Sequence, residues 1–380
     1  QPPPVLMKNY ELSKDGNLLE YFSKFEKAGY VAKFIGAESE FVTGKPHLLL
    51  FSGLPENALS KLKVVQKSFH KNWSVQSHFK SENLRSILKL IVYTNIPFVL
   101  HQFEHVIHEN INKDILLFLE NDYVFIENIF EYIRQILIDM AIRHCYGEKA
   151  KSNPIFVNNI LLLLNQKVSY RGKHMSKKLK FRQSNSDISR EYLSNFVING
   201  EYKNLNSNIM DENDSIVNTI LKNQKEFDIP NDIFYSTIPS YITLFVILLE
   251  HAFSSFLIDI SLCPRVFKKL ANEQRRIMDN HGKIISTEHL DKMAYLDAAI
   301  VESFRLSNSQ TFMKQASCDI FLPNGVLLHK GSFVKFNCVT YDRSPELFKD
   351  YPHDFIPERH FKLGTKLDVT SKTNLIWGFG

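Results

Sequence analysis

The residues with the clearest chemical potential lie late in the chain. Glu302 and Arg305 stand three apart in Glu302-Ser303-Phe304-Arg305. That spacing puts a carboxylate and a guanidinium on one face of a helix, within ion-pair reach. Alone, such a pair is common and adds little. A third charge follows in Pro357-Glu358-Arg359-His360, and the last residues are Trp377-Gly378-Phe379-Gly380. Glycines at that point permit a tight turn and a close approach of the backbone to a flat partner. Upstream, Glu250 and Ser254 form an acid–alcohol pair at i, i+4 within an apolar run. The cysteines are Cys145, Cys263, Cys318 and Cys338, and no two form a CxxC pair. Zinc and dithiol chemistry are therefore not indicated, and four buried or half-buried free thiols in a reducing compartment are expected.

These groups need elements to hold them. Tyr295 to Leu306 reads as the helix carrying Glu302 and Arg305. Tyr241 to Leu262 is the longest apolar stretch, interrupted by Glu250, His251 and Asp259. It is long enough to span a bilayer, but its interruptions and helical neighbours favour a buried central helix. Pro264 is placed to begin the next helix, Val266 to Asp279. Ile320 to Leu328 reads as two short strands around Pro323-Asn324-Gly325, and Ser332 to Cys338 as another strand. Earlier, residues Leu18 to Leu54 suggest a helix and then a small strand pair that includes Gly29 to Ile35. From about Pro55 to Gln166 the pattern is mainly helical, with Asn83 to Val92, Pro97 to Glu109 and Ile126 to His144 as examples. Pro154 sits well in a first helical turn. Arg171 to Arg182 is rich in Lys and Arg, a solvated basic face or a contact for anionic lipid headgroups. Asn199 to Asp214 reads as a loop. The fold class is mainly α with small β-sheets, and no hinge composition divides residues 1–380 from one single large domain.

Composition sets the outer bounds. The 380 residues are 44% hydrophobic and 23% charged, ordinary values for a globular protein. Thirty Phe and fifteen Tyr can supply a large aromatic core. The net charge of +5 suits an anionic membrane face or an acidic redox partner and is too weak to argue for nucleic acid.

In their order and distances, Glu302–Arg305, Pro357–His360 and Trp377–Gly380 resemble the C-terminal half of a cytochrome P-450, a family of haem-thiolate monooxygenases. The resemblance is specific over Tyr241 to Gly380 and rests on element order before that. It implies the cytochrome P-450 fold and a haem b cofactor. In the family the cysteine that binds iron follows four residues after the second glycine, here Gly380, so the axial ligand falls outside this chain and its cysteine loop and last helix are expected to be missing. Gln1 to Pro4 resembles the proline hinge that follows a membrane anchor, with the anchor removed; a plain chain end is the alternative.

The resemblance also implies site residues. Glu302, Arg305 and Arg359 would form a buried network, with His360 standing where an aromatic residue is usual. Lys314 occupies a position often basic in the family, where it would meet a haem propionate; an ordinary exposed lysine is the alternative. A Trp-x-x-x-Arg pattern is absent from the early helices, which leaves Arg85 as the candidate for a second propionate contact. Trp377, Gly378, Phe379 and Gly380 would open the cysteine loop. The usual acid–threonine proton relay falls on Ile247-Leu248, both apolar, so Glu250 and Ser254 are the candidates for a displaced relay, against a polar interruption of a core helix. The central helix and Leu306 to Phe312 would line a substrate pocket. The implied partners are an NADPH-cytochrome reductase or similar electron donor, dioxygen, a lipophilic small molecule and a membrane surface, the cytosolic face of the endoplasmic reticulum. The texture of Ala294 to Arg359 looks most like fungal members that oxidise terpenoid or other lipophilic metabolites. A degenerate, inactive scaffold or binding protein is the rival reading.

Overall fold

The structure is a computed structural model, and it describes residues 5–7, 31–34, 40–64, 96–169, 185–201, 217, 231–282, 286–307, 311–323, 325–376 and 378. In chain order these give strands β1 (Val5–Met7), β2 (Val31–Phe34) and β3 (Glu40–Thr43), helix α1 (Leu48–Gly53) and β4 (Leu59–Ser60). Helices α2 (Ile96–Asn121), α3 (Ile129–Tyr146), α4 (Glu148–Lys151), α5 (Pro154–Ser169) and α6 (Asn185–Ile198) follow. Next come α7 (Asn231–Leu262), α8 (Pro264–His281), α9 (Thr287–Leu290) and α10 (Ala294–Ser307). Strands β5 (Thr311–Ala316), β6 (Ile320–Phe321), β7 (Leu327–Leu328) and β8 (Phe333–Asn337) precede α11 (Cys338–Tyr341) and α12 (Arg359–Leu363).

The chain forms two compact units. The first comprises Gln1–Ser68, Ser255–Gly282 and Lys292–Gly380. It holds a six-stranded mixed sheet in the order β1-β2-β3-β8-β5-β4, and β6 with β7 form a separate hairpin. Val334 and Phe336 face inward from β8 and pack with Phe51, Leu59, Ala316, Leu328 and Tyr341. The expected strand pair appears as β2 and β3, antiparallel, with Ala32 opposite Val42. Strand β5 was not legible as a strand, because its inward positions include Lys314, which spoils the apolar alternation. Helix α8 begins with Pro264 in its first turn and ends at Gly282, whose φ of +89° suits glycine. Its Val266 and Leu270 pack on Ala299 of α10.

The second unit, Phe69–Ser254 with Lys283–Asp291, is helical. Asn128 caps α3 by accepting from Phe130 N and Glu131 N, which sets the start at Ile129, later than periodicity suggests. Tyr146, Phe156 and Phe196 form an aromatic chain, with ring centroids 4.7 and 4.9 Å apart. Arg143 is buried and donates to Asp139 at 2.7 Å and Glu109 at 2.6 Å, tying α3 to α2.

Two expectations change. The central helix α7 starts ten residues before Tyr241 and runs through Pro239, which deletes one helical hydrogen bond without ending the helix. It is also only partly enclosed: 18% of Phe245–Leu262 is buried. By length and composition this segment is the single candidate membrane span among the described residues. The thiols also differ from expectation, since Cys318 is exposed in the turn after β5, while Cys145 and Cys338 are buried and Cys263 is half-buried. The basic stretch Arg171–Arg182, the helix Asn83–Val92 and nearly all of the Asn199–Asp214 loop lie outside the described residues.

Candidate functional site

The site is built on α10. Its N-terminus is capped across space by Glu273 of α8, whose carboxylate accepts from Tyr295 N at 2.7 Å and Leu296 N at 2.9 Å. About two helical turns later on the same face stand Glu302 and Arg305, both buried. Arg305 engages Glu302 through two parallel bonds of 2.8 Å, from Nε to Oε2 and from Nη2 to Oε1. Such a fork-to-fork pair is the strong geometry for a guanidinium and a carboxylate. Arg359, opening α12, donates Nε to Oε1 at 2.8 Å, and Ile356 N donates to the same oxygen at 3.0 Å. The structure thus brings together the three residues whose spacing in sequence is 3 and 57 positions.

The remaining guanidinium protons go to backbone carbonyls of the loop between α11 and α12. Arg305 reaches Asp342 O and Pro352 O at 2.6 Å each, and Arg359 reaches Asp350 O at 2.8 Å and Tyr351 O at 2.9 Å. The Arg305 guanidinium also lies 4.6 Å from the centre of the Phe348 ring. A loop with few ladder bonds of its own is therefore held by two side chains centred on one carboxylate. Burial pushes the Glu302 carboxyl up; the bonds and charges of Arg305 and the bond to His360 more than reverse this and set it at about 2.

Several partners were not legible. His360 Nε2 sits 2.8 Å from Glu302 Oε2. Glu358, between two residues already singled out, is a second hub. Its Oε1 takes Lys269 Nζ at 2.5 Å, Tyr295 Oη at 2.9 Å and a close contact from Arg265. Ser303, inside the Glu-x-x-Arg run, donates to Asp259 at 2.6 Å. Burial raises the Asp259 carboxyl, the Ser303 bond opposes this, and the Glu302 charge adds to the rise. Adjacent positions could have suggested His360 and Glu358; no local signal links Asp259 to Ser303 across 44 positions.

The other candidates fall out differently. Glu250 is held by Arg134 of α3, with Nε to Oε2 at 2.9 Å and Nη2 to Oε1 at 2.8 Å. Ser254 is buried with its Oγ unpaired, so no hydrogen bond joins it to Glu250. Lys314 is buried in β5 rather than exposed, and its Nζ donates to Phe51 O at 2.7 Å. Burial lowers its ammonium and the Glu56 carboxylate partly restores it. Gly378 adopts φ +79°, and a Cβ there would lie 3.2 Å from the Phe312 ring. A residue with a side chain would be both strained and crowded. Arg85, Trp377, Phe379 and Gly380 lie outside the described residues.

A mainly helical body with small sheets, and a buried Glu-Arg-Arg lock before a glycine turn, is the arrangement that the resemblance to the cytochrome P450 family implies. Comparison with known proteins agrees. Residues 251–379 match the family model for Cytochrome P450. Relatives include Cytochrome P450 71B38 of Arabidopsis thaliana, 33% identical over 27% of this chain and 21% of that protein. Cytochrome P450 3A18 of Rattus norvegicus is 33% identical over 29% of this chain and 22% of that protein. Phenylalanine N-monooxygenase of Arabidopsis thaliana is 30% identical over 30% and 21%. These matches span about a fifth of the relatives' own length. Among solved structures, retinoic acid-bound cyanobacterial CYP120A1 superposes with a TM-score of 0.68 and 16% identity, covering 99% of this chain and 86% of that one. The chain is thus similar to cytochrome P450 proteins in sequence over residues 251–379 and in fold through nearly all of its length.

The family binds haem through its iron. At the Gly378 turn the Phe312 ring already fills the space a side chain would take, so a planar group would have to meet the backbone on another side. Lys314 Nζ gives one of its three donors to the Phe51 carbonyl, which leaves two that a propionate could accept.

Proposed function

We propose that the protein carrying this sequence is a haem-dependent monooxygenase acting on a lipophilic small molecule. The observation that carries the reading is the buried Glu302–Arg305–Arg359 lock, set 19 positions before the Gly378 turn within a cytochrome P450 match. A lock of that kind gives a rigid seat to whatever the following turn holds. When bound, haem would supply the oxidation, and the chain would supply seat, orientation and electrostatics. Gly378 with Trp377, Phe379 and Gly380 would form the approach to the haem, and Lys314 and Arg85 would offer cations to its propionates. Glu250 and Ser254 would serve proton delivery only after Glu250 leaves Arg134. An NADPH-cytochrome reductase or similar donor would provide electrons and dioxygen the oxygen atom. A fungal-type member oxidising a terpenoid or related metabolite, anchored to the cytosolic face of the endoplasmic reticulum, is the finer form of the proposal.

One observation favours a second reading, an inactive scaffold with this fold. Glu250 is committed to Arg134, and Ile247 and Leu248 bring no polar group to the middle of the helix. The protein carrying this sequence, expressed in membranes, separates the two. A thiolate-type spectrum of the reduced carbon monoxide complex, with NADPH-dependent oxygen uptake, supports the monooxygenase. Bound haem without turnover supports the scaffold. No haem at all refutes both the enzyme and its cofactor assignment.

A further inference from the structure

We infer that His360 is a positioning residue: a neutral imidazole, carrying its proton on Nε2, that fixes the orientation of the Glu302 carboxylate between the two arginines. The inference does not depend on the proposed oxidation. Glu302 Oε1 accepts from Arg305 Nη2, Arg359 Nε and Ile356 N. Oε2 accepts from Arg305 Nε and, at 2.8 Å, meets His360 Nε2. Without His360 the second oxygen would have one donor against three on the first. A buried carboxylate oxygen loses stability when one of its donors is withdrawn. Arg359 pulls on Oε1 through Nε alone, because its other nitrogens serve Asp350, Tyr351 and Asp354 carbonyls. His360, one residue along α12, pulls on the opposite oxygen and resists that torque.

The tautomer follows from the other ring nitrogen. Nδ1 is buried and has no hydrogen-bond partner. A proton there would be a buried donor without an acceptor, which is costly, whereas a bare Nδ1 is a milder loss. An imidazolium would also place a third cation around one carboxylate. The ring is therefore neutral with its proton on Nε2, aimed at Oε2. An aromatic hydrocarbon at this position would fill the same space and leave Oε2 one donor short.

Three variants of the full chain separate hydrogen bonding from space filling. His360→Phe keeps a ring and removes the donor. His360→Gln removes the ring and places an amide N–H close to the former Nε2. His360→Asn places its amide nearer the former Nδ1, short of Glu302. In urea unfolding, Phe and Asn should each lower the folding equilibrium constant by about tenfold or more, the size expected for a bond to a charged group, while Gln restores most of it. In the unsubstituted protein with ¹⁵N-labelled histidine, the resonance pair missing from His360→Gln should show a protonated Nε2 and a bare Nδ1. The inference is overturned if His360→Phe matches the parent, if His360→Gln fails to fold or is no more stable than His360→Phe, or if Nδ1 carries a proton.

Discussion

Replacing Glu302 by Gln tests the lock most directly. The substitution nearly preserves shape, but it exchanges an acceptor for five donors with one carbonyl and one amino group. Whichever way the amide turns, its nitrogen faces donors of Arg305 and either Arg359 with Ile356 or His360. Two guanidiniums then remain buried without their counter-charge, and breaking a buried pair in this way costs ~3–5 kcal/mol. The depressed acidity of the same carboxyl leads to a similar magnitude. The carboxyl falls from its ordinary 4.5 to about 2 on folding, and because the group is wholly buried that drop corresponds to ~3 kcal/mol. The sign is that of a depressed acid: the stabilisation is fully present above pH 4.5 and is lost as pH falls toward 2. Urea unfolding of parent and Glu302→Gln, measured at neutral pH and at steps down to pH 3, should show a gap of ~3–5 kcal/mol that narrows in acid. A gap below ~1 kcal/mol at neutral pH, or one that does not narrow, would refute the reasoning, since the carboxylate would then be carrying little of the load.

Three further outcomes follow from the same geometry. Glu273→Ala strips the acceptor from Tyr295 N and Leu296 N and should lower stability by ~1–2 kcal/mol, read from a shift in urea midpoint at unchanged slope. Gly378→Ala should cost ~1–2 kcal/mol for its left-handed backbone, and adding Phe312→Leu should recover only the part due to the 3.2 Å ring contact, as a double-mutant cycle would show. Glu358→Ala should cost about 1 kcal/mol, less at high salt, because the hub is partly exposed. The Tyr295 phenol, pushed up by burial and then by Glu358, should ionise at lower pH in that variant, as followed by ultraviolet titration against Tyr295→Phe.

Much of the frame was legible because it depends on local rules. Pro154 and Pro264 do begin helices, the Glu302–Arg305 spacing does place both on one face, and Ile320–Phe321 does pair with Leu327–Leu328 as two short strands. Where local rules met a competing force, the reading slipped. Lys314 points inward from β5 and hid a strand, and Asn128 moved the start of α3 past the point periodicity gave. The central helix was marked by its apolar run, yet that run does not tell how much of its surface will be covered.

The site divides along the same line. The order and distances of Glu302, Arg305, Arg359 and Gly378 are properties of the chain, and they pointed to the fold before any contact was known. Only the folded structure decided what else bears on them: that Glu250 is held by Arg134 rather than joined to Ser254, that Asp259 meets Ser303, and that His360 turns its Nε2 toward Glu302. The physical reason is reach. Helical spacing acts over three or four residues and can be counted, whereas a buried carboxylate collects its donors from whatever packing brings within 3 Å, and sequence distance carries no information about that.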